Sequence, residues 1–335
     1  MVNWLQKQWA TSYTPWHILL IPLSWLFAVL SFTRRYLYRI GWLKSYRLAV
    51  PVIVVGNINV GGTGKTPLVI WLAEQLRLAG YKPGIISRGY GGSTKQVAQV
   101  LPSSDPAVVG DEAVLIAMHT ACPVYVSANR VAAAENLLAN FPECNVIISD
   151  DGLQHYRMQR DIEIVVYDAV KGFGNGALLP AGPLRESIAR LETVDVVVSN
   201  GKSDLAKAFE SPRAFEYIEM QLESGTFYNL FAEHQKTDVQ AFLNKKIVAI
   251  AGIGNPARFF AALKNLGLQF EGRAYPDHYA FKAEDFRSID ADIIVMTEKD
   301  AVKCRSFAQS NYWVLPVNAV IKNGLMPAIL AKLSK

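Results

Sequence analysis

The run from Val50 to Thr66, Val-Pro-Val-Ile-Val-Val-Gly-Asn-Ile-Asn-Val-Gly-Gly-Thr-Gly-Lys-Thr, constrains this chain more than any other stretch. It reads as a buried β-strand, a glycine-rich loop and the first turn of a helix. That order builds a phosphate-binding loop: small residues let backbone N–H groups converge on phosphate oxygens, Lys65 adds a mobile positive charge, and the Thr66 hydroxyl can ligate Mg²⁺. The usual pattern places Gly five residues before the Gly-Lys pair, where this chain has Asn59. Asn tolerates left-handed backbone angles better than most residues, so the loop can still form. The bland alternative is a glycine-rich turn that only joins strand to helix.

At 335 residues the chain is long enough for two domains. With 51% hydrophobic and 19% charged residues, it is not a largely disordered protein. Cys122, Cys144 and Cys304 are odd in number and lack paired spacing, which points to neither a disulfide framework nor a zinc site. The net charge of +5 is unevenly placed: residues 1–50 hold Lys7, Arg34, Arg35, Arg39, Lys44 and Arg47 and no Asp or Glu. The remainder carries 28 basic against 29 acidic residues, which argues against a nucleic-acid-binding body.

Five of the seven tryptophans (Trp4, Trp9, Trp16, Trp25 and Trp42) also fall in the first 50 residues. Trp16–Phe32 is 17 residues without formal charge. As a helix it would be ~26 Å long, just short of a hydrocarbon core of ~30 Å, and Pro22 interrupts or kinks it. Arg34-Arg35-Tyr36-Leu37-Tyr38-Arg39 then supplies the basic and aromatic character expected at a headgroup boundary. A cleavable signal peptide fits poorly, because the basic cluster follows the apolar run. A buried helical hairpin, a membrane span and an interfacial anchor remain, and the short length and Arg/Trp flanks favour the anchor. The positive residues place the nucleotide on the cytoplasmic side.

Beyond the loop, helical spacing over Pro67–Ala79 stops at Gly80. Apolar runs at Gly84–Ser87, Val124–Ser127, Val146–Asp150, Ile162–Tyr167 and Val194–Ser199 alternate with helical patterns at Glu112–His119 and Arg130–Asn140. This predicts a mainly parallel sheet with helices on both faces. Phe215–Leu222, a turn at Glu223-Ser-Gly225 and Thr226–Phe231 read as a hairpin, and Ala232–Asp238 as a linker. A second α/β set has strands at Lys246–Ile253, Gln269–Ala274, Ile293–Thr297 and Tyr312–Val317, and helices at Pro256–Leu266 and Met326–Leu333. The expected division is therefore 1–47 for membrane association, 48–212 for nucleotide binding, 213–238 for hairpin and linker, and 239–335 for a second, smaller α/β/α unit.

Several residues carry candidate chemistry. Val146-Ile-Ile-Ser-Asp150-Asp151-Gly152 is a strand ending in two carboxylates, and in phosphate-loop enzymes an acid at such a strand end holds Mg²⁺ or its waters. Asp111, after Gly110, either caps a helix or accepts a proton from an attacking hydroxyl. The glycine- and proline-rich stretch Lys171–Glu186 ends with Arg185, suited to phosphate, and Glu186, suited to a metal, though either suits a surface equally. His278 sits in the turn Tyr275-Pro-Asp-His-Tyr279, where a lone histidine is more often structural than catalytic. Thr297-Glu-Lys-Asp300 ends a strand, and a charged loop is enough to account for it.

Taken together, Asn57-Ile-Asn-Val-Gly-Gly-Thr-Gly-Lys-Thr-Pro67, Ser87-Arg-Gly-Tyr-Gly91, Gly110-Asp-Glu112, Asp150-Asp-Gly-Leu-Gln-His155, Leu179-Pro-Ala-Gly-Pro-Leu-Arg-Glu186, Gly252-Ile-Gly-Asn-Pro256, Pro276-Asp-His-Tyr279 and Thr297-Glu-Lys-Asp-Ala-Val302 resemble the tetraacyldisaccharide 4′-kinase (lipid A 4′-kinase) family of Gram-negative bacteria. The family's third motif often continues with Pro, where this chain has Ala113. The resemblance implies two α/β/α domains joined by a two-stranded link, with substrate entering between them. It implies transfer of the ATP γ-phosphoryl group to the 4′-hydroxyl of an acylated glucosamine disaccharide 1-phosphate lipid, at the inner-membrane surface and with no protein partner. By motif, Asn59, Gly61, Gly62, Thr63, Gly64, Lys65 and Thr66 would hold ATP and Mg²⁺, with Asp150 and Asp151 supporting the metal. Asp111 would be the base, tuned by His278. Gln154, Arg185 and Glu186 would line the phosphate and metal region. A nucleotide-switched membrane ATPase or GTPase is the other reading. It is disfavoured by Val60, where dimerising ATPases carry a lysine, and by Asn200-Gly-Lys-Ser-Asp204, which only approximates the guanine-binding Asn-Lys-x-Asp.

Overall fold

A computed structural model describes residues 9, 15–203, 215–322 and 324–334. Trp4, Lys7 and Asp204 lie outside the described residues, as does the expected boundary at 212 and 213.

Helix α1 (Pro15–Arg39) runs through Pro22 as one helix of 25 residues, roughly 37 Å long. Strands β1 (Val52–Gly56), β2 (Pro83–Ser87), β3 (Ala98–Val100), β4 (Val124–Val126), β5 (Val146–Asp150), β6 (Ile162–Asp168), β7 (Val196–Asn200) and β8 (Glu216–Ser224) belong to the first sheet. Helices α2 (Lys65–Leu78), α3 (Pro106–Val109), α4 (Asp111–His119) and α5 (Arg130–Asn140) alternate with them. The nine-stranded order is β15-β8-β7-β6-β1-β5-β2-β4-β3, where β15 is Val317–Ile321.

Burial on both faces explains the near-continuous apolar strands. In β1, Ile53 and Val55 face a cluster with Leu68, Leu72 and Leu76 of α2 and Ile116 of α4. The alternate Val52 and Val54 face Val131 and Leu137 of α5 on the other side. Burying one such leucine contributes about 1.5–3 kcal/mol. The two faces therefore fix β1, and with it the start of the phosphate loop.

The second sheet is six-stranded, in the order β10-β9-β14-β13-β11-β12. It comprises β9 (Phe227–Asn229), β10 (Lys236–Thr237), β11 (Ile247–Ala251), β12 (Glu271–Ala274), β13 (Ile293–Thr297) and β14 (Tyr312–Leu315). Its helices are α6 (Pro256–Asn265), α7 (Ala283–Arg287) and α8 (Glu298–Cys304). The same alternation appears in β11: Val248 and Ile250 pack with Phe281 and Phe286, and Ile247 and Ala249 with Phe242, Phe259 and Leu263.

Two sequence expectations are corrected. Phe215–Leu222 does not pair with Thr226–Phe231. Instead β8 pairs with β7 and β15 in the first sheet, and β9 with β10 and β14 in the second. A local turn signal cannot reveal that a partner 90-odd residues away offers a longer ladder. Second, the stretch expected to end the smaller unit returns to the larger one. Helix α9 (Leu325–Leu333) buries Leu325 and Ile329 in the first sheet's core. The two units are thus joined by two crossings, after β8 and before β15. The linker stretch also contains β10, and the charged segment Glu298–Cys304 is helical because Thr297 caps it, its side chain accepting from Asp300 N.

Candidate active site

Strand β1 lies between β5 and β6, all parallel, with Val55 opposite Asp150. The phosphate loop and the paired carboxylates therefore leave the carboxyl edge of adjacent strands. Gly61 and Gly64 take φ of 101° and 97°. At Gly64 a Cβ would lie 2.7 Å from Asn200 Nδ2. That amide, from the end of β7, donates to Thr63 O at 2.9 Å and pins the loop. Asn59 donates to Gly172 O at 2.8 Å, while Arg185 N donates to Ile58 O at 2.7 Å and Val60 N to Pro183 O at 2.9 Å. The loop over Lys171–Glu186 thus lies along the phosphate loop.

Around Asp151 the charges are paired. Lys65 Nζ sits 3.4 Å from Oδ1, and Arg185 Nη1 donates to both carboxylate oxygens at 3.3 Å. Arg185 also reaches Gln154 Oε1 at 3.5 Å, and Gln154 Nε2 donates to Asn57 O at 3.1 Å. Burial alone would raise the Asp151 carboxyl, but Lys65 and Arg185 outweigh it and hold it down to about 2. Asp150 behaves oppositely: burial, then the charges of Glu112 and Asp151, push it up to about 7. Its Oδ2 accepts from the Ser87 hydroxyl at 3.2 Å, while the buried Oδ1 has no protein partner.

The second cluster is built from both units. Gly110, with φ of 92°, precedes α4, and a Cβ there would lie 2.6 Å from Tyr90 O. Gly110 is the N-cap position and Asp111 the first helical residue, whose Oδ1 accepts from Glu112 N at 2.8 Å in the first turn. The same carboxylate meets His278, whose Nδ1 lies 3.1 and 3.0 Å from Oδ1 and Oδ2. His278 has φ of 58°, a left-handed conformation rare outside glycine and common at functional sites. Burial works against ionisation of Asp111, yet the His278 hydrogen bond and the Lys299 charge hold it below the usual carboxylate value. His278 is shifted upward: burial opposes its charge, and Asp111 overcomes that.

The sequence profile of the family described as tetraacyldisaccharide-1-P 4′-kinase (LpxK) matches residues 16–334. This chain belongs to that kinase family. Among similar proteins, the tetraacyldisaccharide 4′-kinase of Methylobacillus flagellatus is 50% identical over 333 residues, covering 99% of this chain and 96% of that protein. That of Pasteurella multocida is 49% identical over 335 residues, covering 99% and 98%. The crystal structure of LpxK from Aquifex aeolicus in complex with ATP superposes with a TM-score of 0.78 at 28% identity, covering 95% of this chain and 99% of that one.

Within this kinase family member, Lys65, Asp151, Gln154 and Arg185 are brought together, and Asp111 meets His278, as the sequence suggests. Glu186 is held at one oxygen, with Tyr156 donating to its Oε2 at 2.7 Å and Arg190 Nε 3.2 Å from the same atom, while its buried Oε1 has no protein partner. Among the described residues no group of three or more His, Cys, Asp or Glu side chains forms a metal cage. The donors still suit Mg²⁺, which keeps several waters and takes one or two carboxylates with substrate phosphates. Asp150 Oδ1, buried and without a protein partner, is a donor of that kind.

Sequence reasoning missed three residues. Ser87 holds Asp150, and Asn200 pins the loop while accepting from Arg258 Nη2 of the second unit at 2.7 Å. Lys299 touches Glu112, Asp277 and His278. Only their presence in or beside the quoted motifs signalled them.

Helix α1 touches the same site. Ser24 Oγ donates to Leu178 O and accepts from Ala181 N, each at 2.9 Å, and Arg34 donates to Gln154 O at 3.3 Å. Its other faces expose Ile18, Leu19, Leu23, Trp25, Leu26, Val29, Leu30 and Phe32. It is long and apolar enough to cross a membrane, with only 11% of its most apolar window buried.

Proposed function

We propose that this chain transfers the γ-phosphoryl group of ATP to the 4′-hydroxyl of tetraacyldisaccharide 1-phosphate, giving the 1,4′-bisphosphate and ADP. Family membership over residues 16–334 carries the reaction, and the meeting of Asp111 with His278 supports the chemistry. Lys65 and the loop amides hold the phosphates, with Arg185 beside them. Thr66, Asp150 and Asp151 would hold Mg²⁺, which neutralises phosphate charge when bound. Asp111, kept ionised, takes the proton of the attacking hydroxyl as the new O–P bond forms and the bond to ADP breaks. Transfer of ³²P from labelled ATP to a lipid A precursor in detergent tests this; ATP hydrolysis with no labelled lipid would refute it.

The exposed apolar face of α1 and the basic run after Phe32 support a chain resting on the cytoplasmic face of the bacterial inner membrane, where an acylated substrate is presented. Removing residues 1–45 should abolish flotation with vesicles. Unchanged flotation would sink the anchor.

A further inference from the structure

Lys299 lies at the N-terminal end of α8 with its side chain only 16% exposed. Its Nζ approaches three acceptors: Glu112 Oε1 at 3.0 Å, His278 Nε2 at 3.3 Å and Asp277 Oδ1 at 3.4 Å. An ammonium group has three donors and no acceptor. The ammonium lies among three polar atoms, one on the first unit and two on the second. Burial favours the neutral amine, but the Glu112, Asp111 and Asp277 charges outweigh it and keep Lys299 protonated.

Two neighbours set the neutral imidazole from opposite ends: the ionised Asp111 carboxylate, which only accepts, faces Nδ1, and the Lys299 ammonium, which only donates, faces Nε2. A hydrogen on Nε2 would face the ammonium, and Asp277 Oδ1, at 3.8 Å from Nε2, is too far to accept it well. In neutral His278, Nε2 must then be the acceptor and Nδ1 the donor to Asp111. We propose that Lys299 is a positioning residue for phosphoryl transfer: from Nε2 it reinforces the Nδ1–H tautomer of His278 that Asp111 requires and, through Glu112, holds the unit bearing His278 against α4, which bears Asp111. The ring is otherwise only flanked, by Tyr90 at a centroid distance of 5.0 Å and by Gly91. Tyr90 and Gly91 therefore do not choose between the two tautomers.

This inference rests on the assignment of Asp111 as the base, so the test carries its own control. The full chain is compared with Lys299→Met, Lys299→Arg and Asp111→Ala. Lys299→Met should lower kcat about 10- to 100-fold, the range seen when an outer partner of a metal-bound histidine is removed. KM for ATP should stay within about twofold, because the nucleotide loop belongs to the other cluster. Lys299→Arg should recover part of the rate. In ¹⁵N-histidine spectra, the resonance absent from His278→Gln should report Nδ1–H in the wild type and gain an Nε2–H population in Lys299→Met. Wild-type kcat and an unchanged tautomer in Lys299→Met, with Asp111→Ala inactive, would overturn the role of Lys299 alone. An active Asp111→Ala would instead overturn the base assignment. A raised KM for ATP with kcat unchanged would show that Lys299 serves only structure.

Discussion

The carboxylates Asp151 and Asp111 are both held ionised against burial, yet they are assembled differently. Asp151 takes Lys65 from the first turn of α2 and Arg185 from the loop after β6, both within the nucleotide-binding unit. Asp111 takes His278 and the charge of Lys299 from the second unit, 167 residues or more away along the chain. The first cluster is formed by the local order strand, loop, helix. The second exists only when the two units are docked. A kinase built this way holds nucleotide in one unit and completes its base with residues of the other.

The largest test of that contrast compares Asp111→Ala with Lys65→Ala. Removing the base should cut single-turnover phosphoryl transfer roughly 10²- to 10⁴-fold with ATP affinity unchanged by calorimetry. Lys65→Ala should lose affinity and rate together. If Asp111→Ala also lost ATP binding, the two clusters would not be separable.

A smaller effect is expected at Asn200. Asn200→Ala leaves the buried Thr63 carbonyl without its donor, at a cost of about 1–3 kcal/mol. Both urea stability and ATP affinity should fall, and the kcat of saturated enzyme should change little. A drop in kcat alone would place Asn200 in the second cluster.

The smallest effect is in pH. Asp111 is depressed below 3.8 in the folded protein, so its contribution to stability is present above that value and is lost as pH falls through the folded one. The acid limb of kcat/KM should accordingly lie below the ordinary carboxylate range. His278→Ala removes the main opposing contact and should move that limb upward. A limb that stays in place would mean that Lys299, and not His278, keeps Asp111 ionised.

The legibility of the chain in sequence divides along the same line. Val52–Gly56, the glycines and Lys65-Thr66 could be read directly, because a strand, a positive-φ loop and a helix start are set by neighbouring residues. Asp150 and Asp151 were readable as a strand end, although their opposite titration was not. That depends on burial and Glu112 at Asp150, and on Lys65 and Arg185 at Asp151, groups that arrive from other segments. The hairpin expected at 215–231 failed because strand pairing is a long-range choice, and β15 offered β8 a better partner than β9 did.

The sequence by itself determined the phosphate loop, the alternation of strands and helices, the apolar helix α1 and, through its motifs, the family. The tertiary structure alone decided that the chain crosses between sheets twice and that Asp111 meets a histidine of the second unit. It also decided that Lys299, which reads in sequence as part of a charged loop, sits against the histidine. The physical reason is range. Backbone conformation and hydrophobic burial pattern are written over a few residues, whereas the protonation state of a buried group is set by whatever charges the fold brings within a few ångströms.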